Sequence, residues 1–170
     1  MSILTRDEIK KRLKSGDIIV DPLDEKNIGP ASIDMHLDKT FRVFRGVRDI
    51  YHVDQNADFR DITKVVKIDD YILLQPGQMV HGLTIEKLTL SDNIAAFIEG
   101  RSSIGRLGLT AHITAGFIQP GISNKQVLEI NNVGPVPLAL HVGVAICQVI
   151  FVTTVGKAKY QGKYANQLSP

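Results

Sequence analysis

The sequence predicts an all-β domain, a barrel or double-sheet jelly roll, led by one short helix. Three observations predict it. Short apolar runs recur at roughly ten-residue spacing, as in sandwiches and barrels. Several of them alternate apolar and polar residues, the pattern of half-buried strands. Turn residues separate them, at Pro76-Gly77, Asp92-Asn93, Gly100, Gly134-Pro135 and Val142-Gly143.

Thr5-Arg6-Asp7-Glu8 reads as a capping box, in which the Thr5 hydroxyl and the Glu8 carboxylate satisfy free backbone donors. Ile9 and Leu13 then share one helix face, and Gly16 follows the last turn. Beyond it the period changes. Ser32 to Leu37 alternates strictly, and Phe41 to Phe44 is a second β-like run. Tyr71 to Leu74, Met79-Val80, Leu83 to Ile85 and Ile94 to Ile98 continue as short candidate strands. Gln126 to Ile130, Leu138 to Leu140 and Ala145 to Val152 add three more. No repeat, low-complexity tract or linker interrupts the pattern, so residues 1–156 read as one domain. Residues 157–170 hold Lys157, Lys159, Tyr160, Lys163, Tyr164 and Gln167 with few apolar anchors. They read as a mobile tail or as a lid that orders over a ligand.

Composition excludes several classes of function. A net charge of +2 from 20 basic and 18 acidic residues is no footprint for a nucleic-acid polymer. Cys147 is the sole cysteine, which rules out an internal disulfide and a thiolate-rich zinc site and suits a reducing cytoplasm. The first residues lead into alternating charges, with no signal-peptide pattern. No apolar run approaches the roughly 18 residues that span a bilayer. A cytoplasmic protein without membrane or nucleic-acid partners is expected.

Two features carry chemistry. Glu99-Gly100-Arg101-Ser102-Ser103-Ile104-Gly105-Arg106 has the outline of an anion-binding loop. Glycine lets backbone approach a ligand, hydroxyls and adjacent N–H groups hold phosphate oxygens, and arginine offers a planar fork. Arg-Ser-Ser also occurs in ordinary turns. Glu129 lies in the apolar run Val127-Leu128-Glu129-Ile130. If buried, its charge needs a partner or a raised pKa. Ion pairing with Arg101 or Arg106 is one reading, and general acid/base work is the other. Spacing alone does not choose.

The run Arg101 to Leu109, then His112, Thr114-Ala115-Gly116-Phe117-Ile118-Gln119-Pro120-Gly121, then Val127-Leu128-Glu129 resembles the signature of the dCTP deaminase family, within the dUTPase-like superfamily. Pro30 to Asp34, Phe41 to Phe44, Gln75-Pro76-Gly77, Ile146-Cys147-Gln148 and the tail from Tyr160 to Gln167 resemble its other motifs, so the likeness runs from about residue 1 to 168. The resemblance implies a homotrimer of distorted jelly-roll subunits (a dUTPase-like β-barrel) with active sites formed between subunits. It implies that Glu129 carries protons for a water attacking C4 of cytosine, with Ser102 and Arg106 positioning that water. Arg101, Ser102, Ser103, Ile104, Gly105 and Arg106 would contact the nucleotide, and main chain at Val127 and Leu128 would complete the pocket. Gln119 falls at the sugar position. Gln148, Tyr160, Lys163 and Gln167 match positions that hold the triphosphate or close the site. Magnesium would ride on the phosphates, and dTTP is an inhibitory ligand among relatives.

Chemistry agrees with a metal-free route. Water needs a metal or a base to attack at neutral pH. Zinc deaminases use an H-x-E and P-C-x-x-C set that this chain lacks. Gln119 departs from the family, which usually carries Asp there. An amide accepts a hydroxyl hydrogen bond but is no base, so deamination of dCTP to dUTP leads and dUTP diphosphatase activity is disfavoured. A bifunctional enzyme and a catalytically silent nucleotide-binding trimer are the alternatives. The tail also lacks the glycine usual after its glutamine. His112 reads either as pocket-lining or as structural. His36, His52, His81 and His141 show no ligand spacing and read as structural or exposed. Cys147 reads as a small core residue, Asp34 as a turn cap or interface support, and Asp69-Asp70 as a solvated turn.

Overall fold

A computed structural model describes residues 2–46 and 49–170. The N-terminal helix α1 spans Arg6–Ser15, buries Ile9 and ends at Gly16, whose φ of 81° is left-handed. Its capping box does not form. The Thr5 side chain makes no cap hydrogen bond, and Glu8 instead accepts from Arg12 Nε at 2.9 Å, one turn along. A charged donor at i+4 outcompetes a neutral backbone N–H for that carboxylate.

Among the described residues the strands are β1 (Ile18–Asp21), β2 (Ile33–His36), β3 (Thr40–Phe44), β4 (Thr63–Lys67), β5 (Tyr71–Leu74) and β6 (Met79–Leu90). After them come β7 (Ile94–Gly100), β8 (Leu109–Thr110), β9 (Phe117–Ile118), β10 (Ser123–Asn132), β11 (Leu138–His141) and β12 (Ala145–Thr153). Two further short α-helices are α2 (Phe59–Ile62) and α3 (Ser102–Gly105), and Glu25–Asn27 form one 3-10 turn. One sheet runs β4-β3-β6-β10-β8, with β1 also on β6; another runs β2-β12-β7-β9; β5 and β11 form a separate pair. Every pairing is antiparallel. The all-β expectation holds, as open sheets packed on each other rather than a closed barrel.

The two expected runs around residues 79–85 are one continuous strand. Gly82 does not break β6; it admits a neighbour, since a Cβ there would lie 2.6 Å from Ile130 Cδ1. This long strand pairs with β10 on one edge and with β3 and then β1 on the other. Inward residues of the two larger sheets, among them Phe41, Leu128, Ile130, Met35, Ile146 and Phe151, join one buried cluster. Each such side chain stabilises the fold by about 1.5–3 kcal/mol on leaving water. Cys147 is fully buried in it, and burial pushes its thiol up to about 12, which makes it an inert core residue.

The tail is not frayed. Tyr160 N–H donates to Pro120 O at 2.9 Å, while Ala165 O and Gln167 O accept from the N–H groups of Ser123 and Lys125 at 3.0 and 2.9 Å. It thereby satisfies free donors at the start of β10. Arg42 Nε reaches Pro170 O at 3.0 Å, fastening the far end of the tail to β3.

Candidate active site

Strand β10 shifts register at an irregularity between Lys125 and Val127 and thereafter alternates strictly. Leu128 and Ile130 point into the core, so Val127 and Glu129 point the other way, into a cavity of about 450 Å³ roofed by the tail. Gln119, Tyr160 and Gln167 line the same cavity. Leu128 is fully buried, leaving only its main chain for a ligand. Among the described residues Glu129 is the one acidic side chain in the lining.

Neither arginine pairs with Glu129 within the chain. Its carboxylate is instead held by Thr114, whose backbone N–H donates to Oε2 at 2.8 Å and whose hydroxyl lies 2.8 and 3.0 Å from the two oxygens. Partial burial pushes the Glu129 carboxyl up, but the Thr114 hydrogen bonds and nearby His112 outweigh it and hold it below the usual carboxylate range. Of the two outcomes open for a buried Glu129, a partner or a raised pKa, the chain realises the first, because the carboxylate sits at the cavity wall with donors supplied. His112 also lines the cavity, and its Nδ1 accepts the Glu129 backbone N–H at 3.3 Å.

The loop after β7 is built separately. Arg101 donates to Ala145 O at 3.0 Å and pairs with Asp34 at 3.0 Å, so Asp34 anchors this loop. Gln148 donates to Gly100 O at 3.1 Å and accepts from Ser32 at 2.8 Å, bracing the loop from β12. Helix α3 then leaves Ser102, Ser103, Gly105 and Arg106 exposed, while Ile104 packs on the core. Gly108 follows with a φ of 85°, and a Cβ there would lie 2.6 Å from the Gly134 Cα. That close approach explains the glycine in Arg106-Leu107-Gly108.

The residues singled out in the sequence thus fall into two groups. Glu129, Val127, Gln119, Tyr160 and Gln167 share the cavity, whereas Arg101 to Arg106 and Gln148 lie outside its lining. Lys163, within the tail, lies 5.5 Å over the Tyr164 ring and lines a smaller adjoining cleft. Phe59 and His81 line the main cavity without any sequence signal for it, Tyr164 was legible only as part of the tail motif, and Thr114 only as part of a motif, not as the partner of Glu129.

Open antiparallel sheets, a carboxylate-bearing hairpin and a tail folded over it define a dUTPase-like fold. A dUTPase from phage phi11 of S. aureus superposes with a TM-score of 0.54 at 12% identity, covering 86% of this chain and 96% of that one. The 2′-deoxycytidine 5′-triphosphate deaminase from Agrobacterium tumefaciens gives a TM-score of 0.67 at 22% identity over 88% of this chain, and this chain spans only 47% of its length.

The chain belongs to the dCTP deaminase-like family, whose profile matches residues 3–154. A protein of Nocardioides sp. called "dCTP deaminase, dUMP-forming" is 40% identical over 177 residues, covering 99% of this chain and 92% of its own. One of Methanobrevibacter smithii with the same name is 37% identical over 182 residues, covering 100% and 93%.

Proposed function

We propose that this protein is a hydrolytic dCTP deaminase that converts dCTP to dUTP and ammonia. The observation that carries the reading is the single carboxylate, Glu129, facing a nucleotide-sized cavity under the tail. Family membership and the names of the 37–40% identical relatives support it.

In this mechanism Glu129 takes a proton from a water as its oxygen attacks C4 of cytosine. It then delivers protons to the ring nitrogen and to the departing ammonia. Ser102 and Arg106 position and polarise that water. Because both are exposed and outside the Glu129 cavity of their own chain, the loop that completes each site comes from a neighbouring copy in a homotrimer. Ser103, Ile104 and Gly105 bring backbone to the nucleotide, Gln119 accepts from the sugar hydroxyl, and Tyr160, Lys163 and Gln167 close over the triphosphate. Arg101 and Gln148 hold the loop through Asp34, Ala145 and Gly100. Closure withdraws water from Glu129 and raises its proton affinity toward that needed of a shuttle.

The proposed route needs no zinc, because Glu129 itself takes the proton from water, and the lone thiol is buried in the core. Magnesium would enter on the triphosphate, the mode that ion favours.

A second reading, continued hydrolysis to dUMP, is favoured by the "dUMP-forming" name of the relatives. Gln119 opposes it, since an amide cannot take a proton from the water attacking phosphorus. Product analysis with magnesium separates them. Ammonia and dUTP from dCTP support the first reading, and dUMP with pyrophosphate from dCTP or dUTP supports the second. Neither ammonia from dCTP nor pyrophosphate from dCTP or dUTP leaves a silent nucleotide-binding trimer.

A further inference from the structure

His81 of β6 stands directly opposite Glu129 of β10, and Arg42 of β3 stands directly opposite His81 on its other side. Residues paired this way project from the same face, with Cβ atoms about 4.5–5.5 Å apart. Arg42, His81 and Glu129 therefore form one row across three strands, and His81 lines the Glu129 cavity. The ends of the row are committed. Glu129 is held by Thr114. Arg42 donates to Thr63 and Pro170 and lies 5.0 Å over the Phe59 ring.

The middle is not. The His81 ring meets the edges of Phe44 and Phe59, at 5.5 and 6.0 Å between centroids. Among the described residues neither of its nitrogens has a hydrogen-bond partner. Three other polar groups of the cavity are occupied within the chain, Lys125 by Asp38, Gln126 by Asn124 and Gln167 by Ser169 O, whereas His112, whose Nδ1 accepts the Glu129 backbone N–H, keeps a buried Nε2 without a partner among the described residues. A half-buried imidazole clamped by aromatic edges, with both nitrogens free beside the reacting carboxyl, is a preorganised donor and acceptor.

We propose that His81 contacts the nucleotide, hydrogen-bonding the edge of the pyrimidine ring beside the position at which Glu129 works. The inference rests on the deaminase reading for the identity of the ligand. Burial pushes the imidazole below its usual range; Glu129 facing it from β10 pulls it up and Arg42 from β3 pushes it down. Neutral His81 offers one N–H and one lone pair. Cytosine's ring edge presents acceptors and a donor, so this pair matches it. Triphosphate oxygens, which only accept, would use half of it.

The test uses the full-length protein with magnesium. Leucine keeps the bulk of His81 without its nitrogens, and glutamine keeps a donor and an acceptor. His81→Leu is expected to raise KM for dCTP about tenfold, the loss of a hydrogen bond worth roughly 1.4 kcal/mol, with kcat within about twofold. His81→Gln is expected to recover most of that KM. Independently, the His81 ring resonances, assigned by their loss in His81→Gln, should shift on saturation with dUTP and stay put with pyrophosphate alone. Unchanged KM in His81→Leu, equal damage in both variants, or resonances indifferent to dUTP would overturn the proposal. If the unmodified protein releases no ammonia, the deaminase reading falls, and the dUTP-induced shift still decides whether His81 touches nucleotide.

Discussion

Glu129 and the Arg101–Arg106 loop are carried by different sheets, and their surroundings are finished to different degrees. Around Glu129 the chain supplies its own partners: Thr114 on the carboxylate, His112 on its backbone N–H, and a tail bonded to β10. The loop is anchored just as firmly at its base, through Arg101, Asp34 and Gln148. Its tip, however, leaves two hydroxyls and a guanidinium in water. In the proposed mechanism the held carboxylate and the exposed anion-seeking groups are two halves of one hydrolytic site, which the fold of one chain keeps apart.

Four substitutions break or sharpen that contrast. Glu129→Gln, on the cavity side, should lower ammonia release from dCTP by about 10²–10⁴-fold while nucleotide still binds; turnover at the parent rate would remove Glu129 from the chemistry. Arg106→Ala, on the loop side, should cost about 10²-fold in kcat and leave the melting temperature unmoved, because the exposed guanidinium supports no packing. Lys163→Ala should raise KM for the triphosphate by about tenfold without changing oligomeric state in gel filtration. Unaltered kinetics would return the tail to a purely structural role.

The smallest effect concerns pH. Glu129 lies below the usual carboxylate range in the free protein, so the acid limb of kcat/KM, which reports free enzyme, should lie below that range as well. As pH falls through that limb the carboxylate takes a proton and ceases to be a base. Thr114→Val removes the hydroxyl donor and should move the limb upward by a fraction of a pH unit. A limb that stays fixed would show that the Thr114 hydroxyl does not set this carboxyl's proton affinity.

Much of this was legible in the sequence because alternation is a local property. Val127 to Ile130 announces a strand with Glu129 on the face opposite Leu128, and that is how it lies. The run from Glu99 to Arg106 likewise reads as a loop, and Ser102, Ser103 and Arg106 are exposed there, while the need for glycine at 108 emerges only from its approach to Gly134. What escaped depends on pairing between distant residues. His81 reads as one more histidine until β6 is set in register with β10, and Asp34 gains its meaning only when Arg101 is brought to it. The capping box failed for the same reason at shorter range, since Arg12 outcompeted the backbone for Glu8. The tail carries too few apolar residues to predict its docking, which rests on backbone hydrogen bonds to Ser123 and Lys125 that composition does not encode.

The central claim, that a working site joins the carboxylate of one copy to the loop of another, is tested most directly by subunit mixing. Glu129→Gln and Arg106→Ala proteins, each inactive alone, are unfolded together, refolded and assayed for ammonia release from dCTP. Random reassociation should restore about a quarter of the parent activity, because roughly that share of sites draws an intact carboxylate from one copy and an intact loop from its neighbour. Activity no higher than that of either variant alone would place both halves in the same chain and contradict the account.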